Sequence, residues 1–414
     1  MIDTKMERAH QLIQLQRYKE AEKELRDILS LDPNRAEALA LFAICQAEQN
    51  NIEEADRLIK QAISKEPDND HFLYLQALFY LRQNNLKEAE KFIRNAISFQ
   101  PHGADYFGLL ASIKLSQKEW QQALDAADQG LAVDPDNLMC LNSRSTALFK
   151  LDKKDLAYSS IQEALNKDPE NEYTHSNIGW GLLERGDHKQ ALEHFREALK
   201  INPNFDYAKA GLVEGLKARY WLYRVFLKYA FWLSNLKGKA QWAVILGLYF
   251  GVKFLGYLSE HNPGLATFIH PIIYLYVAFA VSTWIIAPLS NLFLRLNIYG
   301  RYALKKEEIQ ASNFVGISLL IGLLGGIMYL IGHDDFYLLV LIYGVTMMIP
   351  LASMFNAENK RSKTILVAYT IALAIVGLGA LILAALTGDA GALGPIYVVG
   401  VIAYQWIANA LFIK

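Results

Sequence analysis

The sequence predicts an all-α protein made of two materials: a solenoid of six helical-hairpin repeats with a capping helix, then a polytopic membrane bundle of about six spans. Three observations carry this. Prolines stand at 33, 67, 101, 135, 169 and 203, each 34 residues from the next, and a fixed period of that size marks a stacked array. Beyond residue 241 the chain runs in apolar stretches that approach the ~20 residues needed to cross a bilayer. The net charge of −1 also hides a split, with −9 over residues 1–214 and +8 over residues 215–414. An acidic part and a basic, apolar part are separate domains. The expected boundaries are 1–205 for the array, 206–240 for a capping and interfacial helix, and 241–414 for the membrane domain.

Within the array, small or large apolar residues recur at fixed distances before each proline. Twelve before come Ala21, Ala55, Ala89, Ala123, Ala157 and Ala191. Eight before come Leu25, Ile59, Ile93, Ala127, Ile161 and Phe195. Small residues let two helix backbones approach where they cross, and proline follows a helix that it cannot continue. No single hairpin buries its own apolar face, so neighbours must stack into one elongated core. This pattern resembles the tetratricopeptide repeat, met six times over roughly residues 2–205.

The resemblance implies that the first helix of each repeat lines a concave groove. Carried over by position, it puts Met6, His10, Ala40, Ile44, Tyr74, Leu78, Gly108, Ser112, Asn142, Thr146, Ser176 and Trp180 toward that groove. Some members of the family grip an acidic peptide C-terminus with a Lys/Asn/Arg clamp, and that set is absent here. Tyr74, Leu78 and Trp180 point instead to an apolar or amphipathic protein segment as guest. Cys45 and Cys140 show no paired spacing for a disulfide or a metal and read as buried apolar residues. The array's histidines have no ligand partner at metal spacing and read as solvated or capping groups.

The junction, Gly215–Trp242, is aromatic and basic at once. Projected as one helix over 217–235, it gathers Lys217, Arg224, Lys228 and Asn235 on a narrow stripe. Leu222, Tyr223, Val225, Phe226 and Tyr229 fall on a wide apolar side, with Trp221 and Trp232 flanking the cations. That is the pattern of a helix lying in a membrane interface, and it makes membrane lipid an expected partner. The rival expectation is a helix that caps the last repeat, with Asp206–Leu216 as the cap.

The expected spans are 241–258, 267–289, 313–332, 336–355, 364–387 and 393–412, arranged as three hairpins. The first span is the weakest, being short and holding Lys253 near its far end. The loop Lys and Arg lie only in alternate loops, including Arg295, Arg301, Lys305, Lys306, Lys360, Arg361 and Lys363. The positive-inside rule then places both termini in the cytosol, and the N-terminus has no secretory apolar core. A bacterial inner membrane suits this layout. Spans two and four end alike, in APLSNLF and IPLASMF. Gly322, Gly325, Gly326, Gly377 and Gly379 suit close helix packing. Residues 291–312 mix apolar and basic types and are expected to form a second interfacial helix.

No catalytic, cofactor or metal set emerges, and no nucleic-acid partner is expected. There is no HExxH, GxxxxGK[ST] or GxGxxG, and Ser318 lacks the context of an intramembrane protease. The mid-span polar residues Ser282, Thr283, Thr346, Thr370, Gln405 and Asn409 are neutral. They are expected to bond between helices, and they weigh against ion-coupled transport. The sequence therefore reads as a non-enzymatic membrane-anchored scaffold that recruits or assembles a protein partner. The alternative is a transporter or channel with a regulatory array.

Overall fold

The computed structural model describes residues 2–295, 304–355, 357 and 359–412, and among these every regular element is an α-helix. The chain divides into two compact units, Met1–Gly181 and Leu182–Lys414.

The N-terminal unit is a succession of helical hairpins. They are α1 (Ile2–Gln14) with α2 (Tyr18–Leu31), α3 (Ala36–Glu48) with α4 (Ile52–Lys65), and α5 (Asp70–Arg82) with α6 (Leu86–Phe99). Next come α7 (Ala104–Ser116) with α8 (Trp120–Val133), α9 (Leu138–Lys150) with α10 (Lys154–Lys167), and the start of α11 (Glu172–Glu184). The expected alanines Ala21, Ala55, Ala89, Ala123 and Ala157 are all 0% exposed. Each allows its helix to close on a neighbour. At Gly130 even alanine is excluded, because a Cβ would lie 2.3 Å from the Cys140 sulfur. Cys45 and Cys140 are buried, and burial pushes both thiols up to about 12, which keeps them inert.

Every hairpin turn uses the same device. Gln16, Asn50, Asn84, Lys118 and Asp152 adopt positive φ between 57° and 63°. The next N–H bonds back to the helix, as in Arg17 N to Leu12 O at 2.8 Å and Asn51 N to Gln46 O at 2.9 Å. This is a Schellman closure, which satisfies carbonyls that the helix end leaves open.

A polar spine also follows the period. Glu22, Asp56 and Glu90 each pair with a base four residues on, Arg26, Lys60 and Arg94. The next repeat reaches each acid: Gln49 donates to Glu22 at 3.2 Å, Gln76 to Asp56 at 2.8 Å and Gln117 to Glu90 at 2.9 Å. Lys114, buried, lies 2.8 Å from Glu90 and 2.9 Å from Glu119. Burial alone would raise the Glu90 carboxyl, but hydrogen bonds from Lys114, Gln117 and Arg94 outweigh it and hold the group at about 2. Since the folded value lies below the ordinary 4.5, this contribution to stability is complete above about 4.5 and is lost as pH falls toward 2. Acid titration of helicity by circular dichroism should show this loss, and Glu90→Gln should flatten the dependence within that window.

In the C-terminal unit, α12 (His188–Ile201) and α13 (Asp206–Lys217) pack first. Gly211 admits the Phe195 ring and Gly215 admits Leu192; added Cβ atoms would fall 2.1 Å and 2.9 Å from them. α13 thus packs closely on α12. One expectation is corrected. The junction is not one helix over 217–235, because a turn at Ala218–Tyr220 separates α13 from α14 (Trp221–Asn235).

The rest of the C-terminal unit forms α15 (Gly238–His261), α16 (Pro263–Leu294), α17 (Lys306–Gly332), α18 (Asp335–Ser353), α19 (Lys360–Thr387) and α20 (Leu393–Phe412). They pack as the three expected hairpins, α15–α16, α17–α18 and α19–α20. Four of them, α15, α17, α18 and α19, are long and apolar enough to cross a bilayer. The other two expected spans hold shorter apolar stretches among the described residues, Gly264–Ala280 in α16 and Leu393–Ala408 in α20. Of the expected interfacial helix at 291–312, residues 296–303 lie outside the described residues; 291–294 end α16 and 306–312 begin α17.

The closest approach lies between α17 and α18, where a Cβ on Gly344 would sit 2.4 Å from the Gly322 nitrogen. Ser318 Oγ donates to the Gly344 carbonyl at 2.8 Å. Gly326 and Gly379 are less crowded, meeting only leucine side chains at 3.3–3.6 Å. Ser282 and Thr283, expected to bond between helices, bond within their own helix at 2.7 Å. Thr370 bonds within its helix at 2.8 Å and also to Tyr404 on α20. Tyrosines supply further bonds between helices. Tyr343 OH donates to Ala374 O at 3.3 Å, Tyr369 OH to Gly400 O at 3.1 Å, and Tyr404 OH to Pro350 O at 3.3 Å. These bonds run from α18 to α19, from α19 to α20 and from α20 back to α18. Thr346 joins the ring through Tyr397 at 2.7 Å. Gly344→Val must separate two backbones at their contact; the purified chain should lose several degrees of melting temperature in detergent, read by thermal aggregation.

Candidate protein-binding groove and membrane-side helix

The groove residues expected from the repeat register lie on the first helices of the hairpins, and the structure sorts them. Met6 is buried in the core of the first repeats, so it offers no surface to a guest. Asn142 is buried as well, and its amide donates to Thr174 Oγ1 at 3.0 Å. With Ala40, Gly108 and Ser176, which are likewise buried, they offer a guest no surface. His10 is exposed, with Nε2 3.3 Å from Glu37. Ile44, Tyr74, Leu78 and Trp180 are half-buried.

Around Tyr74 the structure assembles more than the register implies. The His71 ring stacks on Tyr74 at 6.0 Å, and Tyr106 lies 5.4 Å away on the other side. Tyr106 OH donates to Asp70. Burial, followed by the Asp70 carboxylate, pushes the Tyr106 phenol up from its ordinary range; burial lowers the His71 imidazole. The patch is thus aromatic, flanked by the Asp70 and Asp105 carboxylates, and shared by two consecutive repeats. The sequence signal for it is the pair Tyr74 and Tyr106 on neighbouring first helices. Single-position matching to the repeat does not compare residues across repeats and passes over Tyr106 and Asp70.

Family comparison matches residues 12–78 and 173–205 to tetratricopeptide-repeat models, and residues 49–130 to the model of anaphase-promoting complex, cyclosome, subunit 3. The N-terminal segment is a tetratricopeptide-repeat array. Such an array is a scaffold for protein–protein interaction. No family model accounts for the membrane half, and no curated protein matches the chain. Among solved structures, PilF of Pseudomonas aeruginosa is 18% identical and covers 50% of this chain and 95% of its own, with a TM-score of 0.42. A thermophilic repeat protein of Thermus thermophilus is 17% identical, covering 44% and 98%, at 0.41. A repeat protein of Parabacteroides merdae is 15% identical, covering 51% and 82%, at 0.46.

The second group of expected site residues lies at α13 and α14. The start points of α11 and α13, Glu172 and Asp206, keep the 34-residue step, so α13–α14 occupies the place of a seventh hairpin. Its turn is different. Gly186, at the α11–α12 turn, has φ +90°, whereas Tyr220, one period on, has φ −83°. Without the left-handed turn, α14 is rolled about its axis. Val225 stands where Ala191 stands in α12, yet Ala191 is 0% and Val225 is 57% exposed. Trp232, in register with Ala198, is 50% exposed. The inward face is instead Tyr223 and Leu227, both buried.

Lys217 leaves the expected cationic stripe. It ends α13, is 3% exposed and lies 3.1 Å from Glu214. Tyr223 OH donates to the other Glu214 oxygen at 2.5 Å. Burial, then Glu214, drives the Tyr223 phenol far above its ordinary range. This clasp fixes the α13–α14 corner. Trp221 is 68% exposed, Arg224 is half-buried and Lys228 is exposed, its aliphatic chain passing over Gly186. Asn235 donates to Glu184. Breaking the clasp by Glu214→Gln leaves a buried ammonium without its counter-ion, which should destabilise the unit by about 3 kcal/mol. Chemical denaturation followed by tryptophan fluorescence measures it.

Proposed function

We propose that this chain is a membrane-anchored scaffold: a multi-pass C-terminal half holds the repeat array at the cytosolic face, where it recruits or assembles a protein partner. The observation that carries this reading is one chain holding both a protein-interaction array and four helices of span length. The guest is an apolar or amphipathic segment, taken up over His71, Tyr74, Leu78 and Tyr106 and extending to Trp180. Both termini lie in the cytosol, as the basic loops require, and an inner bacterial membrane fits that topology. The chemistry is binding rather than turnover.

Affinity purification in mild detergent, with and without residues 1–205, tests the reading. Partner recovery should vanish on truncation. Tyr74→Ala with Trp180→Ala should weaken capture by about 30-fold, the loss of one aromatic hot spot. Solute flux through liposomes containing the membrane half alone would overturn the scaffold in favour of a transporter with a regulatory array.

A further inference from the structure

The outward face of α14 is the part of the C-terminal unit that neither the array nor the spans account for. Trp221, Val225, Lys228 and Trp232 follow one another at helical spacing and are all exposed. In α12 the positions equivalent to Val225 and Trp232, Ala191 and Ala198, are core. Here the roll at Tyr220 turns it outward and supplies it with two indoles around an ammonium. Arg224 flanks the row, and Lys237 and Lys239 follow, both exposed.

Two observations say what covers this face. The first is connectivity. Only Leu236 and Lys237 separate α14 from α15, which is apolar and long enough to span. The end of α14 therefore lies within a few residues' reach of the bilayer surface, about 3.5 Å per residue. The second is composition. Trp221 and Trp232 stand on α14 just ahead of α15, and Trp242, in the second turn of α15, is also exposed. Indole rings favour the membrane–water boundary because the ring is apolar while its N–H seeks water. Cations beside them complement an anionic leaflet.

We propose that the outward face of α14 is a docking surface for the headgroup layer of an anionic bilayer, with Trp221 and Trp232 entering the interface and Arg224 and Lys228 taking lipid phosphates. This rests on the membrane reading of the C-terminal half. Docking fixes the last repeat helix to the surface through α13, so the array is held to the membrane at α14 as well as by the spans.

The test uses the full chain in nanodiscs whose lipids are brominated close to the headgroup, with Trp→Phe variants identifying which indoles are quenched. Trp406, 75% exposed on α20, is the internal control. Trp221→Phe and Trp232→Phe should each remove part of the quenching. Arg224→Gln with Lys228→Gln should lower the chain's preference for anionic over zwitterionic lipid, by about fivefold for each fully engaged cation. Loss of quenching in Trp406→Phe alone would overturn the docking surface while leaving the membrane reading intact. If Trp406→Phe also changes nothing, the membrane reading fails and the docking surface fails with it. An unaltered lipid preference in the double variant would overturn the role of the cations.

Discussion

Close approach of helix backbones is the constraint on which both halves depend. In the array it is made by alanine at one position per hairpin, each without exposed surface. In the membrane half glycine makes it, where Gly322 meets Gly344 across α17 and α18. The driving forces differ. Water drives the alanine contacts together through the apolar residues around them. Between helices in a bilayer, the setting proposed for the C-terminal unit, that force is absent, so tight packing and hydrogen bonds to exposed carbonyls must serve. The tyrosine ring around α18, α19 and α20 is that second contribution, and Gly377 makes room for it: a Cβ there would lie 2.4 Å from the Tyr343 ring.

The same constraint explains why the array stops where it does. A seventh hairpin begins on schedule at Asp206. At Val225 and Trp232, however, the small residues that would let a further helix dock are replaced by larger ones, and the left-handed turn residue is replaced by Tyr220. Either change would weaken another repeat. Together they roll α14 so that Tyr223 and Leu227 point inward, and the Lys217–Glu214–Tyr223 clasp holds that orientation. The hairpin register is retained while the role of its second helix changes.

The array was legible in the sequence because its determinants are local and periodic: a proline, an alanine twelve residues earlier, and a large apolar residue between them. The groove was only half legible. Register places Met6 and Asn142 on first helices but does not say that neighbouring repeats bury them. At the junction a single helical projection ran through Ala218–Tyr220, because nothing in the composition there marks a break, and it counted Lys217 as a surface cation. Its partner Glu214 lies three residues back, at a spacing that on a surface would be a minor pair; burial is what makes it decisive. In the membrane half, polarity drew attention to serine and threonine, whereas the bonds between helices come mainly from tyrosines, whose longer side chains reach a neighbouring backbone.

The length of α16 has a mechanical consequence. Its 32 residues extend about 48 Å, well beyond the ~30 Å of hydrocarbon. Its last turns are buried in protein, with Leu294 packed against Leu192, Val213 and Leu216. In the proposed membrane setting, a helix of that length gripped at one end acts as a lever arm: a change in bilayer thickness alters its tilt, and the tilt is passed to α13 and to α12, on which α13 packs.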